Sequence, residues 1–186
     1  MIIISSSIPK SGSTLVYNYQ KDLLASADRN NAVAQEEFNK HSNCGFLSKK
    51  QLNIKKILTA IFITRKYGNI VIKVHSEPTF LIKLLVTLGL AKATFCYRDP
   101  RDIILAAINH GERTRKGLDP SNACKNMVSI ADSIPIVKSW TRNWYEWKKF
   151  ERVFFIRYES LMKNKLFYLQ AMSDYFNLNL KKEQIE

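Results

Sequence analysis

A chain of 186 residues, 46% hydrophobic and 24% charged, is long enough to bury about two-thirds of the surface its unfolded form would expose. With no internal repeat or low-complexity tract it is expected to fold as one domain, which excludes disordered and fibrous classes. The net charge of +13 points to an anionic partner, whether a nucleotide, a nucleic acid or an acidic membrane face.

Four short β-rich runs, 2–5, 69–74, 93–97 and 152–157, are predicted strands. Between them lie helix-length segments at 13–27, 51–67, 78–90, 100–110 and 121–150, the last broken near Pro135. Alternating strands and helices predict an α/β three-layer sandwich on a central parallel sheet, whose ligands bind beyond the carboxyl ends of the strands. The first run leads into Pro9-Lys10-Ser11-Gly12-Ser13-Thr14 at a helix start. There a glycine admits an anion close to the backbone, the N–H groups of Ser11 to Thr14 point at it, and Lys10 adds a positive charge. The order excludes the common nucleotide loop G-x-x-x-x-G-K-[ST], because Lys10 precedes the glycine.

Lys49, Lys50, Lys55, Lys56, Arg65 and Lys66 recur along the next helical stretch, as a basic stripe or as a solvated face. The second strand ends at Ile72-Lys73-Val74-His75. His75 there is either a hydrogen-bonded structural residue or a base, and Lys73 either a second positive group or an ordinary strand lysine. The third strand runs into Arg98-Asp99-Pro100-Arg101-Asp102. Asp99 suits the N-cap, Pro100 the first helical position and Asp102 the third. Arg98 and Arg101 are not needed for capping, so each offers a planar fork to a phosphate or pairs with a carboxylate. Trp140, Trp144 and Trp147, at spacings of four and three, fit a core helix face, or with Tyr145, His110, Gly111 and Glu112 the lining of a cleft. The fourth strand leads into Arg157-Tyr158-Glu159-Ser160-Leu161.

Cys44, Cys96 and Cys124 are odd in number and lack metal-ligand spacing, which suits reduced thiols and no zinc site. No basic region precedes the isoleucines at 2–4, and the apolar stretch 80–91 is interrupted by Lys83 and too short to span a bilayer. A soluble, cytoplasmic protein is expected.

Taken in order, these motifs resemble the sulfotransferases that use 3′-phosphoadenosine 5′-phosphosulfate (PAPS). Pro9 to Thr14 is similar to that family's P-K-S-G-T-T loop, Lys73-Val74-His75 to its K-T-H strand end, Arg98 to Asp102 to its R-[ND]-P-x-D segment and Tyr158-Glu159 to its Y-E-D-L. The resemblance implies a P-loop NTPase-like sulfotransferase fold over residues 1–186, and sulfuryl transfer from PAPS to a hydroxyl or amine of a small-molecule or glycan acceptor. By it Lys10 would neutralise the leaving oxygen, His75 would take the acceptor's proton, and Lys73 would assist at the sulfuryl oxygens. Lys10, Ser11, Gly12, Ser13 and Thr14 would bind the 5′-phosphosulfate, Arg98 the 3′-phosphate, and Tyr158 would lie near the nucleotide. No metal and no specific nucleic acid are implied.

The chain departs from the family at Ala106, where a serine usually contacts the 3′-phosphate, and at Leu15, where a tryptophan often stacks on adenine. It also lacks the C-terminal R-K-G-x-x-G-D-W type segment, which makes a C-terminally shortened chain the expectation. The alternatives are a catalytically impaired nucleotide or polyanion binder of the same fold, and a nucleotide-dependent phosphotransferase, against which the absence of the common nucleotide loop counts.

Overall fold

The computed structural model describes residues 1–42, 45–119, 122 and 124–185; Cys44 and the expected helix start at 121 lie outside them. Four strands, β1 (Ile2–Ser7), β2 (Ile70–Val74), β3 (Ala91–Tyr97) and β4 (Val153–Arg157), form a parallel sheet in the order β2-β1-β3-β4. The register runs Ile4 to Ile72 and to Ala93 across β1, and Phe95 to Phe155 at the far edge. Sequence order reverses around β1: the chain moves to one side for β2, then crosses to the other for β3. In parallel sheets a crevice opens at that reversal, beyond the strand ends.

Eight helices are described: α1 (Ser13–Ala27), α2 (Asn30–Asn39), α3 (Ile54–Lys66), α4 (Phe80–Thr87), α5 (Pro100–Arg115), α6 (Ile130–Lys148), α7 (Tyr158–Lys163) and α8 (Lys165–Phe176), with a 3₁₀ turn at Lys182–Gln184. Side chains alternate across the strands and so feed two cores. Ile2, Ile4, Ile70, Ile72, Ala93 and Phe95 meet α3, α4, α5 and α6 on one face. Ile3, Val71, Cys96 and Ile156 meet α1, α7 and α8 on the other. The result is the expected three-layer α/β sandwich.

Boundaries follow the caps. Asn53 and Thr79 side chains accept from the N–H groups of Lys56 and Ile82, so α3 and α4 begin after the sequence-based starts. Helix α5 runs past the expected His110 to Arg115, because Gly111 lets it approach the next segment: a Cβ there would lie 2.3 Å from the Cys124 carbonyl oxygen. The expected break near Pro135 does not occur, and α6 passes through it. A Ser129–Asp132 capping box anchors its start, and Val137 and Trp147 bury its inner face. The basic residues at 49–66 are not one helical stripe, since Lys49 and Lys50 precede α3.

Candidate functional site

The loop after β1 is tied to β3 by its own side chains. Ser11 Oγ donates to the carbonyls of Ile8 (2.6 Å) and Cys96 (3.1 Å), and Cys96 Sγ donates to the Ser11 carbonyl (3.0 Å). Burial pushes the Cys96 thiol up to about 12, so it acts as an uncharged donor. Ser11 N–H is bonded to Ile8 O at 3.3 Å. This corrects one expectation: Ser11 does not present a free N–H, and its buried side chain faces the protein.

The amides that do precede the first intrahelical bond, Val16 N–H to Gly12 O at 3.0 Å, are those of Gly12, Ser13, Thr14 and Leu15. Gly12 is the N-cap of α1, with φ 85° and no side-chain cap. Lys10 also has a left-handed backbone, φ 65°, a conformation costly for a lysine and found where function constrains the chain. A Cβ at Gly12 would lie 2.3 Å from Tyr158 Cδ2, so the tyrosine ring packs flush against the loop. On that ring sits Arg98, its guanidinium carbon 4.6 Å from the centroid. Gly12, Tyr158 and Arg98 thus form one stack joining β1, β3 and β4.

A cavity of about 720 Å³ opens beside the loop, lined by Lys10, Gly12, Ser13, Thr14, Lys73 and His75 together with Phe46, Cys124 and Trp140. Lys73 Nζ donates to Thr14 Oγ1 at 2.8 Å. Burial and then Lys10 lower Lys73, and burial lowers Lys10 itself against the opposing pull of Cys124 and Asp119. Two partly dehydrated ammonium groups beside uncapped amides are groups that attract negative charge.

His75 follows β2 directly, with Nδ1 3.0 Å from Ser7 Oγ and 3.3 Å from the Ser7 carbonyl. Burial and the Lys73 charge bring it down to about 4, so it is neutral at neutral pH. When Nδ1–H donates to the Ser7 carbonyl, Nε2 carries the free lone pair. Sequence reasoning did not find what holds this strand end: Asn143 Nδ2 donates to His75 O at 2.9 Å, and Trp147 Nε1 to Ser76 O at 2.8 Å. Trp147 is therefore core, Trp140 lines the cavity and Trp144 a neighbouring one. No pattern in the sequence marks Asn143.

Arg98 lines that neighbouring cavity, of about 360 Å³, with Ile8, Tyr97, Pro100, Trp144 and Tyr145. The residues beyond these strand ends thus line two cavities, one with Pro9 in its wall and the other with Ile8. Arg98 reaches Asp102 at 3.4 Å, while its buried Nε has no partner among the described residues. Asp99 caps α5 and also holds Arg101, whose Nη2 lies 2.6 Å from Asp99 Oδ2. Arg101 is consequently engaged and Arg98 only weakly so. Glu159 accepts from Asp99 N–H at 2.8 Å and from Arg157 Nε at 3.1 Å, which fixes the β4 end to the α5 start.

Comparisons with known proteins agree with this architecture. Over 113 residues the chain is 25% identical to the amine sulfotransferase of Oryctolagus cuniculus, a match covering 59% of this chain and 37% of that protein. The fold superposes on a mouse sulfotransferase complexed with PAP (TM-score 0.55, 17% identity, 97% of this chain and 59% of that one). It also superposes on retinol dehydratase in complex with androsterone and inactive cofactor PAP (TM-score 0.56, 16% identity, 99% and 62%). The chain therefore spans about three-fifths of those solved structures and under two-fifths of the curated relative. A model of the sulfotransferase domain matches residues 2–186, and with that match the chain belongs to the sulfotransferase domain family.

Proposed function

We propose that this protein transfers a sulfuryl group from PAPS to a hydroxyl or amine of a small-molecule or glycan acceptor. The observation that carries the reading is the uncapped start of α1, where Lys10 and Lys73 line the same cavity as the free amides and a neutral His75. The relatives' bound PAP, read as adenosine 3′,5′-bisphosphate, supports the donor. The donor supplies an activated sulfuryl group on a phosphate leaving group.

The amides of Gly12, Ser13 and Thr14 then hold the 5′-phosphate, and Lys73, bonded to Thr14, fixes their position. Lys10 offsets negative charge on the bridging oxygen as its bond to sulfur breaks. His75 Nε2 accepts the acceptor's proton as the new bond to sulfur forms, a contribution of about 10²- to 10⁴-fold in such catalysis. A base held near 4 is weaker than one matched to neutral pH, so alignment and fixed charge carry more of the rate than proton abstraction. Arg98, with its unpartnered Nε, takes the 3′-phosphate beside the loop, and Tyr158 aligns it. Phe46 and Trp140 give the acceptor an aromatic wall.

Calorimetric titration with adenosine 3′,5′-bisphosphate, 5′-AMP and ATP, followed by labelled PAPS with an acceptor panel, tests the reading. Preference for the bisphosphate together with label transfer supports it. Absence of both refutes it, and binding without transfer reduces it to a nucleotide binder.

A further inference from the structure

Two helices in one layer turn apolar side chains outward. Ile57, Ala60 and Ile63 of α3 and Ile82, Leu85 and Val86 of α4 are buried in the same core, on the Ile2/Ile4 face of the sheet. Away from that core α3 carries Ile54, Leu58 and Phe62, 67%, 60% and 63% exposed, and α4 with its C-cap carries Phe80, Leu84 and Leu88, 81%, 40% and 61% exposed. Both sets repeat every four residues, which places each on one stripe of its helix. A surface helix of a globular protein normally puts polar residues there. Single exposed leucines are ordinary, but two such stripes, on helices of the same layer and with a phenylalanine each, mark an interaction surface.

The charge around the stripes identifies the occupant. Neither helix contains an acidic residue, and Glu77 is the only one in the sequence between positions 47 and 90. Lys50, Lys55, Arg65, Lys66 and Lys83 are exposed in that segment. A symmetric pair of copies would press this cationic face against itself. A polar polyanion would match the lysines and leave Phe62 and Phe80 uncovered. An anionic bilayer satisfies both, with lipid phosphates and carboxylates opposite the basic residues and the acyl boundary receiving the apolar ones. We infer that the α3–α4 face seats this protein on an anionic lipid bilayer. The contact is peripheral, since no helix among the described residues is long and apolar enough to cross a membrane.

Co-sedimentation with phosphatidylcholine vesicles, with and without phosphatidylserine, tests this independently of the transfer reaction. Binding is expected only with phosphatidylserine, and it weakens with salt. Both Phe62→Ser/Phe80→Ser and Lys55→Gln/Lys83→Gln should reduce it by about tenfold or more. The lysine pair alters only exposed positions, so it decides the matter even where the phenylalanine pair folds poorly. Absence of binding, equal binding to neutral vesicles, or binding that survives the lysine pair overturns the inference. Self-association without lipid that the phenylalanine pair abolishes overturns it too, and assigns the face to a second copy.

Discussion

Gly12 combines two demands that no other residue meets: a left-handed backbone at φ 85° and a tyrosine ring where its Cβ would be. Gly12→Ala should therefore cost at least about 1 kcal/mol in urea unfolding, with a larger relative loss in nucleotide affinity. His75 carries a pH signature of definite sign. Its folded value of about 4 lies below the unfolded value of about 6.5, so in that interval the unfolded chain binds a proton that the folded chain does not. Its contribution to stability is fully present above about 6.5 and is lost as pH falls to about 4, by up to about 3 kcal/mol. His75→Gln should flatten that part of the stability profile. Bisphosphate binding next to Lys10 and Lys73 should raise the His75 value toward the ordinary range, seen by NMR titration of the imidazole; an unchanged value would place the anion elsewhere. Arg98→Gln should erase most of the preference for the 3′,5′-bisphosphate over 5′-AMP, about 10- to 100-fold, because a charged hydrogen-bonding group is lost from a half-buried position.

Elements were legible where local chemistry and burial agreed. The four strands are β-branched or aromatic runs, β3 the weakest of them, whose apolar residues feed one or both cores, and their ends were off by one or two residues. Helix α2 has no strong apolar stripe and begins at an arginine without a side-chain cap. It forms because Ala34 and Phe38 bury against the sheet layer while Asn31 and Gln35 satisfy backbone groups of Leu24, Asn69 and Val71. The partners Asn69 and Val71 lie more than thirty residues away in sequence. Pro135 misled for the opposite reason. It removes an N–H and crowds the Ala131 carbonyl, a local penalty that the capping box and the buried Val137 and Trp147 outweigh. Pro135→Ala should accordingly raise stability by about 1–3 kcal/mol, read as an upward shift in Tm.

At the scale of the whole molecule, +13 charges on 186 residues repel one another in the folded state. Raising ionic strength from about 0.01 to 0.15 M shortens the screening length from about 30 to 8 Å and should raise Tm; a falling Tm would mean that attractive pairs dominate. The sequence by itself determined the layer architecture, the anion-loop position after β1 and the cap of α5, since periodicity, glycine and capping chemistry act over a few residues. It also carried Lys10, Lys73, His75 and Arg98 to the carboxyl ends of parallel strands, because strand direction alone dictates which end a following residue occupies. Only the tertiary structure decided that Ser11 faces inward to β3, that Tyr158 closes under Gly12 and carries Arg98, and that Asn143 and Trp147 clamp the end of β2. It also decided that Lys10, Lys73 and His75 line one cavity and Arg98 another. Those outcomes rest on contacts between residues about 60 to 150 positions apart, which packing brings together and local pattern does not encode.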